Sequence, residues 1–184
     1  MRHFSILGIS GSLRAASYNT AALRVAQESV GEGVHMTIAD LSAIPLYNDD
    51  VRLEGLPLSV LSLGEQIASA DAVMVATPEY NYSIPGVLKN AIDWLSKIEK
   101  QPFDGKPMAI LGASMGPWGT ARSQYDLRKV FVFLNAHLLN HPEIMIASAH
   151  ARFDAEGNMT DEKTHEMIAA QVAALQEWAM RLRD

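Results

Sequence analysis

Residues 4–19 read FSILGISGSLRAASYN, an apolar run that ends in a loop of small and polar residues. The run is short and aliphatic, which is typical of a strand buried on both faces of a sheet. The loop contains a glycine turn and leads directly into a helical pattern. A strand, a turn and a helix in this order are the first unit of a doubly wound α/β sheet.

The same alternation of strand and helix continues along the rest of the chain. Five apolar runs predict strands at residues 4–9, 34–39, 72–77, 108–113 and 144–148. Amphipathic patterns predict five helices at residues 20–30, 58–70, 87–98, 122–139 and 161–183. Right-handed crossovers between parallel strands then favour a three-layer α/β sandwich with five parallel strands in the order 2-1-3-4-5.

Composition limits the possible functions of this chain. With 184 residues, of which 48% are hydrophobic and 20% charged, we expect one packed domain spanning residues 1–184. The net charge of −6 repels polyanions and argues against nucleic acid as a partner. There is no cysteine, so disulfides, thiolate metal sites and thiol redox chemistry are excluded, and the histidine spacing predicts no metal site. Any redox chemistry must come from a bound cofactor.

The N-terminal apolar run turns polar at Ser10. It is too short for the hydrophobic segment of a signal peptide or for a membrane-spanning helix. We therefore expect a cytoplasmic protein that does not insert into a membrane.

The loop after the first strand has the chemistry of a phosphate site. Backbone N–H groups, hydroxyls and a guanidinium lie at a helix N-terminus, where the helix dipole favours an anion. The spacing matches neither the dinucleotide fingerprint nor the P-loop, which favours a monophosphate without an obligatory metal. The alternative is a polar turn in which Ser17 or Asn19 caps the helix. The candidate phosphate ligands are Ser10, Ser12, Arg14, Ser17 and Asn19.

Two further loops follow the third and fourth strands, on the same edge of the predicted sheet. Residues 77–86 contain two prolines, the flat rings of Tyr80 and Tyr82, and the amide of Asn81, which suit a planar heteroaromatic ring. The alternative is a rigid turn with surface tyrosines. Residues 112–122 contain three glycines, which allow a ring to lie against backbone N–H groups that stabilise negative charge on a reduced cofactor.

In these three loops the chain resembles the NADPH-dependent FMN reductase family, flavodoxin-like flavoproteins that include soluble quinone and chromate reductases. The resemblance covers essentially the whole chain. The matching motifs are Gly11-Ser12-Leu13-Arg14 with Ser17 and Asn19, Pro78-Glu79-Tyr80-Asn81, and Ser114-Met115-Gly116 with Gly119. It implies non-covalently bound FMN, with its phosphate in the first loop, residues 78–82 (Pro78, Glu79, Tyr80, Asn81, Tyr82) along its isoalloxazine, and Ser114, Met115 and Gly116 near the far side of the ring.

The resemblance also implies an activity and an assembly. FMN would accept a hydride from NADPH or NADH and pass electrons to quinones or other small acceptors, such as chromate, azo compounds or free flavin. Because the chemistry belongs to the cofactor, no catalytic acid or base is assigned. A homodimer or homotetramer is implied, in which Tyr47, Asn48 and Asp49 of the long segment 41–57 are candidates to close a neighbouring subunit's site.

Two other classes of function compete with this interpretation. A non-enzymatic flavodoxin-type electron carrier is usually more acidic and has no room for a nicotinamide, whereas the moderate charge and the glycine-rich fourth loop here favour an enzyme. A serine hydrolase would use Ser10, because Gly8-Ile9-Ser10-Gly11-Ser12 lacks only the last glycine of the nucleophile elbow. Its partners would be Asp126 and His137, His141 or His150. A module that only senses a flavin or a phosphate is a third class.

Three basic side chains remain open to interpretation. Arg52 and Arg122 are candidates for the 2′-phosphate that distinguishes NADPH from NADH. Arg122, Tyr125 and Arg128 share one face of the predicted fourth helix. This face is either solvated or paired with a carboxylate such as Glu143 of a neighbouring subunit.

Overall fold

One parallel sheet forms the centre of the protein in the computed structural model, which describes residues 4–183. Its strands are β1 (Phe4–Ser10), β2 (Val34–Ala39), β3 (Ala72–Ala76), β4 (Pro107–Ala113), β5 (His137–Leu138) and β6 (Ile144–Ile146). The α-helices are α1 (Tyr18–Glu28), α2 (Asp49–Glu54), α3 (Leu58–Ser69), α4 (Gly86–Leu95), α5 (Ala121–Phe133) and α6 (Glu162–Arg181). A one-turn 3₁₀ helix, Ala149–Ala151, follows β6.

The strand order is β2-β1-β3-β4-β5, with β6 also paired to β4. This confirms the predicted order 2-1-3-4-5 and the flavodoxin-like sandwich. Helices α1 and α6 cover one face of the sheet, and α3, α4 and α5 cover the other. Because both faces are covered, β3 is buried along its full length, as its uninterrupted apolar sequence predicts.

The outer edge of the sheet differs from the prediction. The expected helix over residues 122–139 ends at Phe133, and two of its residues form β5 instead. The helix stops because Asn135 adopts a left-handed φ of 53°. The N–H of Asn135 bonds the carbonyl of Val132, and that of Ala136 bonds the carbonyl of Phe131, which together form a Schellman C-cap.

Two short strands thus replace one at the fifth position of the sheet. β5 pairs with Pro107 and Met108, whereas β6 pairs with residues 111–113. The strand predicted at residues 144–148 therefore ends two residues early. Between the two pieces, the Gln171 side chain donates to the carbonyls of Ile110 and Pro142, at 3.1 and 2.8 Å. A side chain from α6 fills the gap in the backbone ladder.

The long segment 41–57 is ordered against α4. It contains α2, whose N-cap is Asn48. The Asn90 amide accepts from the Tyr47 N–H and donates to the Pro45 carbonyl, both at 2.8 Å. Trp94 donates its indole N–H to the same carbonyl at 2.8 Å. These three bonds fix the segment within its own chain.

Candidate functional site

The first, third and fourth strands end beside one another, and the loops that follow them enclose a cleft. The order of the strands reverses between β1 and β3, which is where open α/β sheets bind ligands. The cleft is open and has a volume of about 200 Å³. Nine of the residues predicted from the sequence line it: Ser12, Arg14, Ser17, Asn19, Pro78, Glu79, Tyr80, Ser114 and Met115.

The first loop places a free cation and a helix N-terminus at one end of the cleft. The Ser17 hydroxyl accepts from the Thr20 N–H at 3.3 Å, so Ser17 caps α1. The exposed Arg14 guanidinium donates to the Ala16 carbonyl, and within residues 4–183 no carboxylate pairs with it. Leu13, beside it, is exposed and does not line the cleft. The loop therefore keeps a positive charge available to an anion.

Two of the predicted phosphate ligands are occupied by other bonds. Buried Ser10 contacts the Thr20 hydroxyl at 2.8 Å and accepts from the Ser12 N–H at 3.3 Å. Buried Asn19 donates to the Ala113 carbonyl at 3.0 Å and accepts from the Ala113 N–H at 2.9 Å. Asn19 thus joins α1 to the end of β4, and these bonds use one of the two N–H groups of its amide nitrogen.

The second loop is a tight hairpin. The N–H groups and carbonyls of Tyr80 and Ser83 bond one another at 3.1 and 3.2 Å. The two residues between them, Asn81 and Tyr82, have φ values of 51° and 71°, which define a type I′ turn. A tyrosine in the left-handed region costs roughly 1–2 kcal/mol. The Tyr82 ring stacks on the Arg122 guanidinium at 3.7 Å, and this contact offsets part of that cost.

Glu79 connects the second loop to the N-terminus of α5. Its side chain is 8% exposed and accepts from the backbone N–H groups of Arg122 and Ser123, at 3.0 and 3.2 Å. The Arg122 Nε donates to the same carboxylate at 2.6 Å. Thr120, at the N-cap position, makes no side-chain cap, so Glu79 supplies it from a distant loop. The carboxylate also raises the pKa of Arg122 through this hydrogen bond.

The third loop is held rigidly by the segment after β6. The Ser114 N–H donates to Ile146, and the N–H groups of Ser148 and Ala149 donate to the carbonyls of Gly116 and Ser114. These bonds are between 2.9 and 3.1 Å long. Met115, between the bonded positions, keeps its side chain 61% exposed at the wall of the cleft. The loop presents an apolar side chain on a fixed backbone.

The structure does not bring together the residues that the serine hydrolase alternative requires. Within the described part of the chain, no hydrogen bond joins Ser10 to a histidine or to Asp126. The Asp126 carboxylate instead accepts from Lys129 and Ser83, which lower its pKa. The constellation that a serine nucleophile needs is not assembled.

The other three candidate basic residues, Arg52, Arg122 and Arg128, have partners within the chain. Arg52 pairs with Asp49, whose pKa it lowers to about 2, and Arg122 pairs with Glu79. The Tyr125 hydroxyl lies 3.3 Å from Glu143 of the same chain. Arg128 donates to the carbonyl of Leu139 and to the Asn140 side chain. The face shared by Tyr125 and Arg128 therefore binds residues 139–143 of its own chain.

Comparisons with known proteins identify the family to which the chain is similar. Residues 4–151 match the family model described as NADPH-dependent FMN reductase. An NAD(P)H-dependent FMN reductase from Pseudomonas aeruginosa is 58% identical over 178 residues, which cover 97% of this chain and 96% of that protein. A quinone reductase from Escherichia coli is 43% identical, with coverage of 97% and 96%.

A solved structure shows the same similarity in three dimensions. The flavoenzyme NAD(P)H:(acceptor) oxidoreductase FerB from Paracoccus denitrificans superposes with a TM-score of 0.86 and 35% identity, covering 97% of this chain and 98% of that one. Fold, cleft and sequence lead to one assignment. The chain belongs to the NADPH-dependent FMN reductase family.

Proposed function

We propose that this protein is an FMN-dependent oxidoreductase that uses NADPH or NADH to reduce quinones or other small acceptors, acting as a single FMN-binding domain. The observation that carries the proposal is the cleft at the strand reversal, where three loops bring together a cation, an aromatic ring and the Ser114–Met115 segment. The named relatives are FMN and quinone reductases, which supports this activity.

The residues of the cleft suit the phosphate and the ring of FMN. Arg14 and the N-terminus of α1 suit the phosphate, because both favour an anion. Pro78 and Tyr80 suit the isoalloxazine ring, with Asn81 and Tyr82 beside them. A Cβ on Gly116 would meet only the Ser114 hydroxyl, at 3.9 Å, so the chain's own packing does not require this glycine. A glycine here leaves room for a ligand to approach the backbone closely.

The size of the cleft supports an enzyme rather than a carrier that encloses its flavin. Small-molecule pockets usually have volumes above about 300 Å³. The cleft here measures about 200 Å³ and is open, so a bound FMN would lie partly outside it. One side of the ring would remain accessible to a nicotinamide and then to an acceptor. This openness also explains why quinones, azo compounds and chromate are all acceptable candidates.

When bound, FMN supplies the redox chemistry, taking a hydride from the nicotinamide and passing electrons to the acceptor. The protein's part is to bind and orient. Arg14 balances the phosphate charge, and the N–H groups of the third loop favour negative charge near the ring. The Glu79 cap fixes the second loop against α5, so Tyr80 keeps its place at the cleft wall. No side chain is required to move a proton.

We further propose that the protein is cytoplasmic and assembles as a homodimer or homotetramer. No described helix is long and apolar enough to cross a bilayer. Leu46, Leu53 and Leu58 are mostly exposed around α2, and a second copy would cover them. Segment 41–57 would reach a neighbour's site as a rigid unit, because Asn90 and Trp94 fix it to α4. Light scattering of the purified protein tests the assembly.

The activity is tested by absorbance in one anaerobic cuvette. We expect a flavin band near about 450 nm that bleaches with NADPH or NADH and returns with benzoquinone, as in flavin chemistry generally. A band that bleaches with dithionite but not with either nicotinamide would point to the electron carrier. A colourless protein that FMN cannot reconstitute would contradict the proposal.

A further inference from the structure

Methionine is the only sulfur-containing residue in this chain, which has nine methionines and no cysteine. The described methionines differ widely in exposure. Met36, Met74 and Met108 are fully buried, whereas Met115 is 61% exposed and Met180 is 46% exposed. Because a thioether must be reached to be oxidised, these two are the best targets for oxidation.

Met115 and Met180 also lie in different surroundings. Met115 lines the cleft, and its neighbours Ser114 and Gly116 are fixed by backbone bonds to residues 146–149. The backbone of Met115 is therefore fixed at the wall of the cleft where FMN is proposed to bind. Met180 lies near the C-terminal end of α6 and lines no cleft among the described residues. Among the described residues, the fold offers one exposed methionine at the site and two, Met167 and Met180, away from it.

We infer that Met115 is a modification site, at which peroxide formed in the cleft converts the thioether to a sulfoxide. The inference rests on the proposed function. In air, molecular oxygen takes two electrons and two protons from reduced FMN and becomes hydrogen peroxide. The peroxide O–O bond then breaks, one oxygen forms the S–O bond, and the other leaves as water. The sulfur is oxidised and the peroxide is reduced.

The modification changes the wall of the cleft. A sulfoxide puts a polar, chiral S–O group where the fixed loop now presents an apolar thioether. The backbone bonds at Ser114 and Gly116 limit how far the loop can move to accommodate it. The enzyme then loses affinity for FMN when an acceptor is scarce and oxygen takes the electrons. A methionine sulfoxide reductase would reverse the change.

Two tryptic peptides contain the methionines needed for the test. The Lys106–Pro107 bond resists trypsin, so residues 101–122 form one peptide with buried Met108 and exposed Met115. Residues 164–181 form another, with Met167 and Met180.

The FMN-loaded protein is incubated in air with NADPH and no other acceptor, with catalase present to remove peroxide that leaves the cleft. A second sample without NADPH or catalase receives hydrogen peroxide, and sulfoxide is located by fragmentation mass spectrometry.

We expect the ratio of Met115 to Met180 oxidation to be severalfold higher during turnover than with added peroxide. An equal ratio in the two samples overturns the inference. If quinone is reduced but no peroxide forms in air, the inference fails while the proposed function stands. If neither nicotinamide bleaches the flavin, the proposed function fails and the inference falls with it.

A pair of variants measures the consequence. During aerobic turnover, Met115→Leu keeps a larger share of its own starting rate than the unmodified chain, and its FMN dissociation constant stays constant. The Met180→Leu variant loses the same share of its starting rate as the unmodified chain. Equal loss in both variants shows that oxidation at Met115 has no effect on the site and contradicts this part of the inference.

Discussion

The Glu79 carboxylate joins two segments that are 43 residues apart in the chain. We predict that Glu79→Gln lowers the free energy of unfolding by about 1–2 kcal/mol, the scale of a lost helix cap. The amide keeps one acceptor oxygen, but it loses the charge that binds Arg122 and favours the α5 N-terminus. Urea unfolding measures the change.

The matched control is Glu65→Gln, which removes the same charge from an exposed position on α3. This substitution should change the free energy of unfolding by no more than about 0.5 kcal/mol. Equal effects of the two substitutions would mean that Glu79 contributes no more than a surface charge.

Arg14 provides the second prediction for a single residue. Arg14→Ala should weaken FMN binding by about 1–3 kcal/mol, the scale of a hydrogen bond to a charged group. The stability of the protein without FMN should not change, because the side chain is exposed. Titration of FMN fluorescence measures the dissociation constant. Arg24→Ala, on the exposed side of α1, is the control for net charge, and a loss as large as that of Arg14→Ala would place the phosphate elsewhere.

At the scale of the elements, apolar runs and loop motifs were enough to predict the parallel sheet and the edge at which the cleft lies. The local pattern gave the wrong prediction at residues 134–139, because the apolar stretch that includes them is compatible with a helix or a strand. The outcome depends on the left-handed Asn135 and on pairing with β4, neither of which has a periodic signal. The capping role of Glu79 has no local sequence signal either, because the N–H groups that it caps belong to another loop.

The glycines of the fourth strand and its loop allow a test of packing. A Cβ on Gly112 would collide with the Thr120 hydroxyl and lie 2.5 Å from the Thr77 carbonyl oxygen. We predict that Gly112→Ala lowers the free energy of unfolding by at least about 1–3 kcal/mol, as overpacking does. Gly116→Ala, with its nearest neighbour at 3.9 Å, should change it by less than about 0.5 kcal/mol.

Thermal or urea unfolding of the protein without FMN compares the two glycine variants. The two variants can be compared directly because both add the same methyl group, one within β4 and one in the loop that follows it, four residues apart. A large loss of stability from Gly116→Ala would show that this glycine has a structural role, and its assignment to ligand approach would be wrong.

At the scale of the whole molecule, we expect the aspartates to determine how the free energy of unfolding changes in acid. Hydrogen bonds to their carboxylates lower the pKa of five of them below the ordinary value of 3.8, namely Asp40, Asp49, Asp126, Asp154 and Asp161. A pKa that is lower in the folded state stabilises the fold above the unfolded value, and this stabilisation is lost as the pH falls through the folded value. We predict that the free energy of unfolding is nearly constant at neutral pH and falls below about pH 4.

Asp161 identifies one part of this acid response. It caps α6 through the Thr164 N–H and pairs with Arg152. Asp161→Asn keeps a good capping side chain but cannot titrate. Urea midpoints measured from neutral to acid pH should therefore fall less steeply in the variant. An unchanged slope would mean that Asp161 has the same pKa in the folded and unfolded chains.

The divided outer edge of the sheet affects how copies of this protein behave at high concentration. A long edge strand exposes a row of unpaired backbone groups on which a strand of another molecule can add, and this is a common route to aggregation. Here β5 has two residues and β6 has three, and the Gln171 side chain occupies the interval between them. A foreign strand finds no continuous template here, so the interruption protects this edge of the sheet from edge-to-edge polymerisation.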